Sequence, residues 1–241
     1  MKLKVFGTGS KGNGYALKAD NGDTLLLECG MPFRLAQSYL DFKLEGIQGC
    51  LITHSHGDHA KHAQQYLDMG VRLYMGDKTM AELKLDMHNA EILPTMITKQ
   101  IGSFKIMAFP VKHDVDCMGF LIQHPECGLT LFMTDTFYCP FQFPGLNNII
   151  VEANYSKHLI DERSGNKFVR DRVVQSHFSL ENCKEFLAIN DLSQVNNIVL
   201  IHLSDTNSDE IMFMDEVYQQ THKNVMCAYN GLDMELNKDP F

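Results

Sequence analysis

Thr53-His54-Ser55-His56-Gly57-Asp58-His59 is the stretch on which the reading of this chain turns. It follows the apolar run Cys50-Leu51-Ile52, which reads as a buried strand, and it precedes residues 60–69, which can form a helix. Imidazoles and a carboxylate therefore leave a single strand end together. Such a donor set suits a borderline-soft divalent ion such as zinc. An isolated histidine is ordinarily a solvated loop residue; this spacing reads as a metal site provided further ligands appear downstream.

They appear at strand ends. His113 follows the run 106–112, Asp135 follows 129–134, Glu152 follows 148–151 and His202 follows 197–201, just as His54 follows 50–53. Taken singly, each of these is an ordinary core or edge residue. Taken together, they place metal-binding and acid–base side chains where loops at one edge of a sheet assemble a site.

Composition narrows the class. The chain has 241 residues, enough for a sizeable core, with no repeat, low-complexity segment or Pro/Ser linker, so residues 1–241 are expected to form one domain. No apolar run approaches the roughly 18 residues that span a membrane, and the N-terminus enters a strand pattern with no signal-peptide core. The expectation is a cytoplasmic protein without a membrane partner. The cysteines are odd in number at seven and lack a C-x-x-C pair, so they read as free buried thiols of a reducing compartment. A formal charge of −9 argues against a broad, sequence-independent nucleic-acid groove. Self-association into a homo-oligomer is left open.

The coarse pattern places strands at 2–8, 15–19, 24–29, 72–75, 100–101, 104–111, 119–123, 129–134, 148–153, 197–201, 225–229 and 234–236. Helices are expected at 32–41, 60–69, 78–86, 178–190 with Ser179 as N-cap, and 209–221. Gly7-Thr8-Gly9-Ser10-Lys11-Gly12-Asn13-Gly14 is not a phosphate loop, because a strand follows it and no Lys-Ser/Thr does. Strand-rich halves that each end in helices suggest two sheets packed face to face with helices outside.

Thr53–His59 followed by His113, Asp135 and His202 resembles the metallo-β-lactamase-fold hydrolases in ligand type and order, and the likeness extends to Val5-Phe6-Gly7-Thr8-Gly9-Ser10. The resemblance implies an α/β, four-layer αββα sandwich with two divalent metal ions, zinc or manganese, between the sheets. It implies that His54, His56 and His113 hold one ion, that Asp58, His59 and His202 hold the other, and that Asp135 bridges them. Members that open β-lactams commonly depart from the pattern at Asp58, which turns the expectation toward other esters.

A second pair of segments, Asn148-Ile149-Ile150-Val151-Glu152-Ala153-Asn154-Tyr155 and Gln175-Ser176-His177-Phe178-Ser179, is similar to parts of ribonuclease Z and its nuclease relatives. That likeness implies that Glu152 orients His177, which binds the scissile phosphate and protonates the leaving oxygen. The long arm of ribonuclease Z is absent between His113 and Asp135; a short hairpin turning at residues 125–128 stands there. The chain therefore looks closer to the short bacterial and phage phosphodiesterases, including DNA 5′-exonucleases. Residues 157–172 carry five basic residues against three acids, a local patch able to hold a nucleic-acid backbone, and Tyr138, Tyr155 and Phe168 are candidates for base stacking. The expected activity is phosphodiester hydrolysis by a two-metal activated hydroxide, with Asp58, Glu152 and His177 catalytic and nucleic acid or a nucleotide as substrate. The alternatives are a cyclic-nucleotide or other small-nucleotide phosphodiesterase, then a thioester or lactone hydrolase, and last a metal-stabilised nucleic-acid-binding module.

Overall fold

Apolar residues alternate sides along a strand, so a run that is apolar throughout must be covered on both faces. The computed structural model describes residues 1–239 apart from Asp86 and residues 164–166, and its strands solve that burial problem with two seven-stranded sheets. The first sheet contains β1 (Lys2–Gly7), β2 (Gly14–Lys18), β3 (Thr24–Leu27), β4 (Ile47–Leu51), β5 (Leu73–Met75) and β6 (Ala90–Ile92) in that spatial order. The second contains β7 (Thr98–Ile101), β8 (Phe104–Val111), β9 (Cys117–His124), β10 (Gly128–Met133), β11 (Asn148–Glu152), β12 (Asn197–Ile201) and β13 (Asn224–Cys227). Finally β14 (Asp233–Glu235) returns to pair antiparallel with β1.

Each sheet changes character partway across. The pairs β1–β2 and β2–β3 are antiparallel, whereas β3–β4, β4–β5 and β5–β6 are parallel. Likewise β7–β8, β8–β9 and β9–β10 are antiparallel, and β10–β11, β11–β12 and β12–β13 are parallel. Parallel neighbours need crossover connections, and these carry the helices. They are α1 (Phe33–Tyr39), α2 (Gly57–Ala60), α3 (Ala63–Asp68), α4 (Asp77–Leu83), α5 (Lys157–Arg163), α6 (Lys167–Ser176), α7 (Leu180–Ile189) and α8 (Glu210–Thr221).

The two-residue period sorts side chains into layers. Leu25 and Leu27 enter the core between the sheets, while Leu26 faces outward against Phe33, Ala36 and Tyr66 of α1 and α3. On the other sheet Ile150, Val199 and Ile201 point inward, and Ile149, Val151, Ile198 and Leu200 pack under Cys183, Phe186, Phe213 and Val217 of α7 and α8. The result is the expected four-layer αββα sandwich. Ser179 caps α7 by accepting the Asn182 N–H at 3.1 Å, as expected, and Asp209 caps α8 through Met212 N–H.

Several local expectations are corrected. The helix foreseen at 60–69 is two helices, α2 and α3, and α2 begins inside the histidine motif itself. β6 was not anticipated, since three residues, Ala90-Glu91-Ile92, are too few for an alternating pattern to stand out. The basic stretch at 157–172 falls on α5 and α6. Asp86, the expected end of a helix, lies outside the described residues. All seven cysteines are free and buried. Among the described residues no helix is long and apolar enough to cross a membrane.

Phe132 anchors the inter-sheet layer, fully buried with its ring 5.4 Å from Tyr15 edge-on and 6.4 Å from Phe120. Phe132→Ala is expected to cost about 3–5 kcal/mol of stability, read as a lowered denaturant midpoint at unchanged slope.

Candidate metal centre and its acid–base partner

The carboxyl ends of β4, β8, β10, β11 and β12 deliver the expected side chains to one place. His54, His56, His113 and Asp135 offer ligand atoms all within 4.8 Å of one another, and so do Asp58, His59, Asp135 and His202. Asp135 belongs to both groups: its Oδ1 lies 3.3 Å from His59 Nε2, and its Oδ2 lies 3.8 Å from His54 Nε2 and 3.9 Å from His113 Nε2. Asp58 Oδ2 lies 3.3 Å from His59 Nε2 and 3.2 Å from His202 Nε2. Asp58 and His59 are presented by the single turn of α2, with His56 as its N-cap.

Hydrogen-bond chemistry shows which ring nitrogens face inward. His113 Nδ1 lies 2.8 Å from the Ser176 carbonyl oxygen, which can only accept, so Nδ1 carries the proton. Burial lowers the His113 pKa against the pull of Asp135, and its Nε2 points into the cluster, 3.2 Å from His56 Nδ1 and 3.0 Å from Asp114 Oδ1. His54 Nε2 is buried with no hydrogen-bond partner, and burial, then His59, hold that ring well below the ordinary histidine value. His59 turns Nδ1 toward Glu28 Oε1 at 3.5 Å and Nε2 toward the aspartates. Lone pairs converging on a shared point from buried imidazoles and carboxylates are the arrangement that a divalent cation satisfies.

The charge balance agrees. Burial alone would push the Asp135 carboxyl up, but His202 and His59 hold it well below the usual carboxylate range. Burial also opposes ionisation of Asp58, and its hydrogen bonds to His202 and His59 prevail. In return, burial disfavours a charged His202, yet Asp135 and the hydrogen bonds to Asp58 and Glu152 raise it to about 10. His59 is raised well above its ordinary value against burial by Asp135 and Glu28. Protons on these two rings balance the buried carboxylates, and a bound cation supplies the same positive charge.

Beside the cluster, Glu152 and His177 meet as expected, Oε1 to Nδ1 at 2.7 Å. Glu152 is fully buried, and its Oε2 accepts from Phe178 N–H at 3.0 Å and Thr136 N–H at 3.3 Å, which fixes the carboxylate. Oε1 also lies 3.2 Å from His202 Nδ1, so one oxygen serves a metal-type histidine and His177 together. Burial works against a charged His177, but Glu152 and then Asp135 hold it above the ordinary histidine value. His177 lines a cavity of about 300 Å³ together with His56, Asp58, His113, Asp135 and His202.

Some contributors were not anticipated. Glu28, buried at the end of β3 with φ 68°, also accepts from Thr53 N–H at 3.4 Å; it follows the apolar run Leu25-Leu26-Leu27, the same strand-end signal that marked the others. Asn13 donates its backbone N–H to Asp58 O at 2.7 Å, and its side-chain nitrogen lies 3.1 Å from His59 Nε2. Asn154 donates to His202 O at 2.7 Å, and Thr8 Oγ1 accepts from His202 N–H at 3.0 Å. The glycine-rich turn thus braces the ligand loops. Gly30 permits this closeness, since a Cβ there would sit 1.7 Å from Asp58 O.

The expected stacking residues fare differently. Tyr155 is buried at 1% exposure and packs in the fold, so it offers no face to a base. Tyr138 is exposed, with the Lys112 ammonium 5.8 Å over its ring. The Phe168 side chain lies outside the described residues. Within the basic patch, Arg170 pairs with Asp161 and Asp171, and Arg163 donates to the carbonyls of Thr206 and Ser208.

Two substitutions test the ligand geometry. Asp135→Ala removes the carboxylate common to both groups and is expected to lower bound metal, read by elemental analysis after reconstitution. Glu28→Ala frees the His59 ring and is expected to weaken metal affinity about 10–100-fold in competitive chelator titration.

Comparison with known proteins agrees with the geometry. A family model described as Anti-Pycsar protein Apyc1 matches residues 1–66. Exodeoxyribonuclease WalJ of Streptococcus pneumoniae serotype 2 strain D39 is 26% identical over 240 residues, covering 91% of this chain and 88% of that protein. Among solved structures, the metallo-beta-lactamase fold protein YhfI from Bacillus subtilis superposes with a TM-score of 0.74 at 16% identity, over 97% of this chain and 99% of that one. The short form of human tRNase Z superposes with a TM-score of 0.61 at 15% identity, over 98% and 99%. By its sheets, its ligand order and these structural neighbours, this chain has the metallo-β-lactamase fold.

Proposed function

We propose that residues 1–241 form one metal-dependent hydrolase domain that cleaves phosphodiester bonds in nucleic acid, acting as a DNA nuclease of the exonuclease kind. The observation that carries the reading is the 2.7 Å Glu152–His177 pair set against the ligand cluster. A thioester or lactone hydrolase needs the ligands but has no use for a second, held proton donor.

His54, His56 and His113 with Asp135 would hold one divalent ion, and Asp58, His59 and His202 with Asp135 the other. Zinc suits the imidazole-rich donors, and manganese is the alternative that the carboxylates admit. When bound, such ions supply Lewis acidity that makes water nucleophilic near neutral pH and offsets charge on the phosphate.

The chain's own groups do the rest. Asp58 orients the attacking water from its place on α2. His177 has Nδ1 fixed by Glu152, which leaves Nε2 free to bind the phosphate and to give a proton to the leaving oxygen. The buried carboxylate favours the protonated ring that a general acid requires. His177 also stands just before the Ser179-capped start of α7, where helix N–H groups favour an anion.

A second reading, hydrolysis of a small cyclic nucleotide, is favoured by the net charge of −9 and the modest cavity. Assaying metal-reconstituted protein on single- and double-stranded DNA, RNA and cyclic nucleotides separates the two. His177→Ala is expected to lower turnover about 100-fold or more while bound metal is retained. Near-wild-type turnover by that variant would refute the general-acid assignment.

A further inference from the structure

The mouth of the catalytic cavity holds a cation that the ligand cluster does not use. Arg172, on the last turns of α6, lines the cavity with His177, Asp58 and Asp135, yet its guanidinium makes no hydrogen bond or ion pair among the described residues. Its neighbours in the basic patch are committed elsewhere, Arg170 to Asp161 and Asp171 and Arg163 to two carbonyls. The cavity's other charged walls are carboxylates or imidazoles. An unpaired guanidinium facing a site that takes anions is a phosphate-binding group by its chemistry, because its planar fork matches two phosphate oxygens.

An independent observation lies among the other lining residues. Asn207 is only 9% exposed and lines the same cavity, and its side-chain amide has no hydrogen-bond partner among the described residues. An amide that no protein side chain engages keeps its donor and acceptor available to a ligand in the cavity. Its segment is held firmly: Asn207 O accepts from Ser156 N–H at 3.1 Å, and Arg163 ties the flanking carbonyls of Thr206 and Ser208.

On the phosphodiesterase reading, the scissile diester would occupy the space between the metal-type ligands and His177. Arg172 stands five residues before His177 on a helical path that continues through the Val173 O to His177 N–H bond at 3.0 Å. That offset is about 7.5 Å along a helix axis, on the scale of one extended nucleotide unit. Arg172 is also fixed to the site's framework. Ser176 Oγ donates to Arg172 O at 2.8 Å, and the Ser176 carbonyl holds His113 Nδ1.

We propose that Arg172 and Asn207 form a second-phosphate subsite, which grips the phosphate one nucleotide from the scissile bond on the leaving-group side and makes the enzyme select nucleotides that carry two phosphates. The inference rests on the phosphodiesterase reading and specifies its substrate: a strand with a neighbouring phosphate fills the subsite, and a cyclic mononucleotide does not.

Calorimetric titration of zinc-reconstituted protein tests it. The probes are thymidine 3′,5′-bisphosphate and the two thymidine monophosphates. The wild-type protein is expected to bind the bisphosphate about tenfold or more tightly than either monophosphate, the worth of one charge-assisted contact. Arg172→Ala should bring that ratio below about three, Arg172→Lys should keep part of it, and Asn207→Ala should lower it with no change of charge. A wild-type ratio near one, or a ratio that survives Arg172→Ala, overturns the subsite. Circular dichroism melting of each variant establishes that it is folded. DNA cleavage is scored separately: the ratio without DNA cleavage refutes the nuclease reading and leaves the subsite standing, whereas DNA cleavage without the ratio refutes the subsite alone.

Discussion

Burying carboxylates among imidazoles is the constraint from which the rest of this molecule follows. Asp135 is 1% exposed and Glu152 and Glu28 are fully buried, positions in which an unpaired charge would be heavily penalised. Each is compensated by histidines brought from other strands, and those histidines are fixed in turn by carbonyls, amides and hydroxyls. The arrangement requires several strand ends to finish in register at one edge. Two sheets whose parallel halves share an apolar layer provide that register, and the outer helices supply the crossovers.

Much of the site was legible because metal-type residues at strand ends are a local signal. The Thr53–His59 motif, His113, Asp135, Glu152 and His202 all follow apolar runs, and the structure brings them together. Glu28 carries the same signal, but the apolar pattern resumes at Cys29, so it reads as lying inside the strand at 24–29 and not at its end. Asn13, Asn154 and Thr8 are different. They act by hydrogen bonds to residues 46, 48 and 194 positions away, a relation that no local pattern encodes.

The fold was legible where periodicity was strong and obscure where tertiary contacts decided. The β3, β11 and β12 segments announce themselves as strands buried on both faces, whereas β6 is a three-residue strand defined by its pairing with β5. The histidine motif looked like a loop because its ligands mask helix propensity, yet its second half forms α2, where the turn geometry presents Asp58 and His59 side by side. The basic patch read as a single surface. In three dimensions its charges disperse, some into ion pairs and loop anchoring, leaving Arg172 at the cavity.

Three of the residues that finish these strands share a backbone conformation: Glu28, Asp135 and His202 adopt φ of 68°, 48° and 56°. Left-handed backbone at a residue with a side chain costs about 1–2 kcal/mol, and glycine or asparagine relieves it. The chain keeps an acid or an imidazole at each instead. Selection for thermal robustness alone would erode the very positions on which chemistry depends, so stability and activity pull against each other at these three points. A stabilised version of this protein has to find its gains in the helices and the outer layers, leaving that strained edge alone.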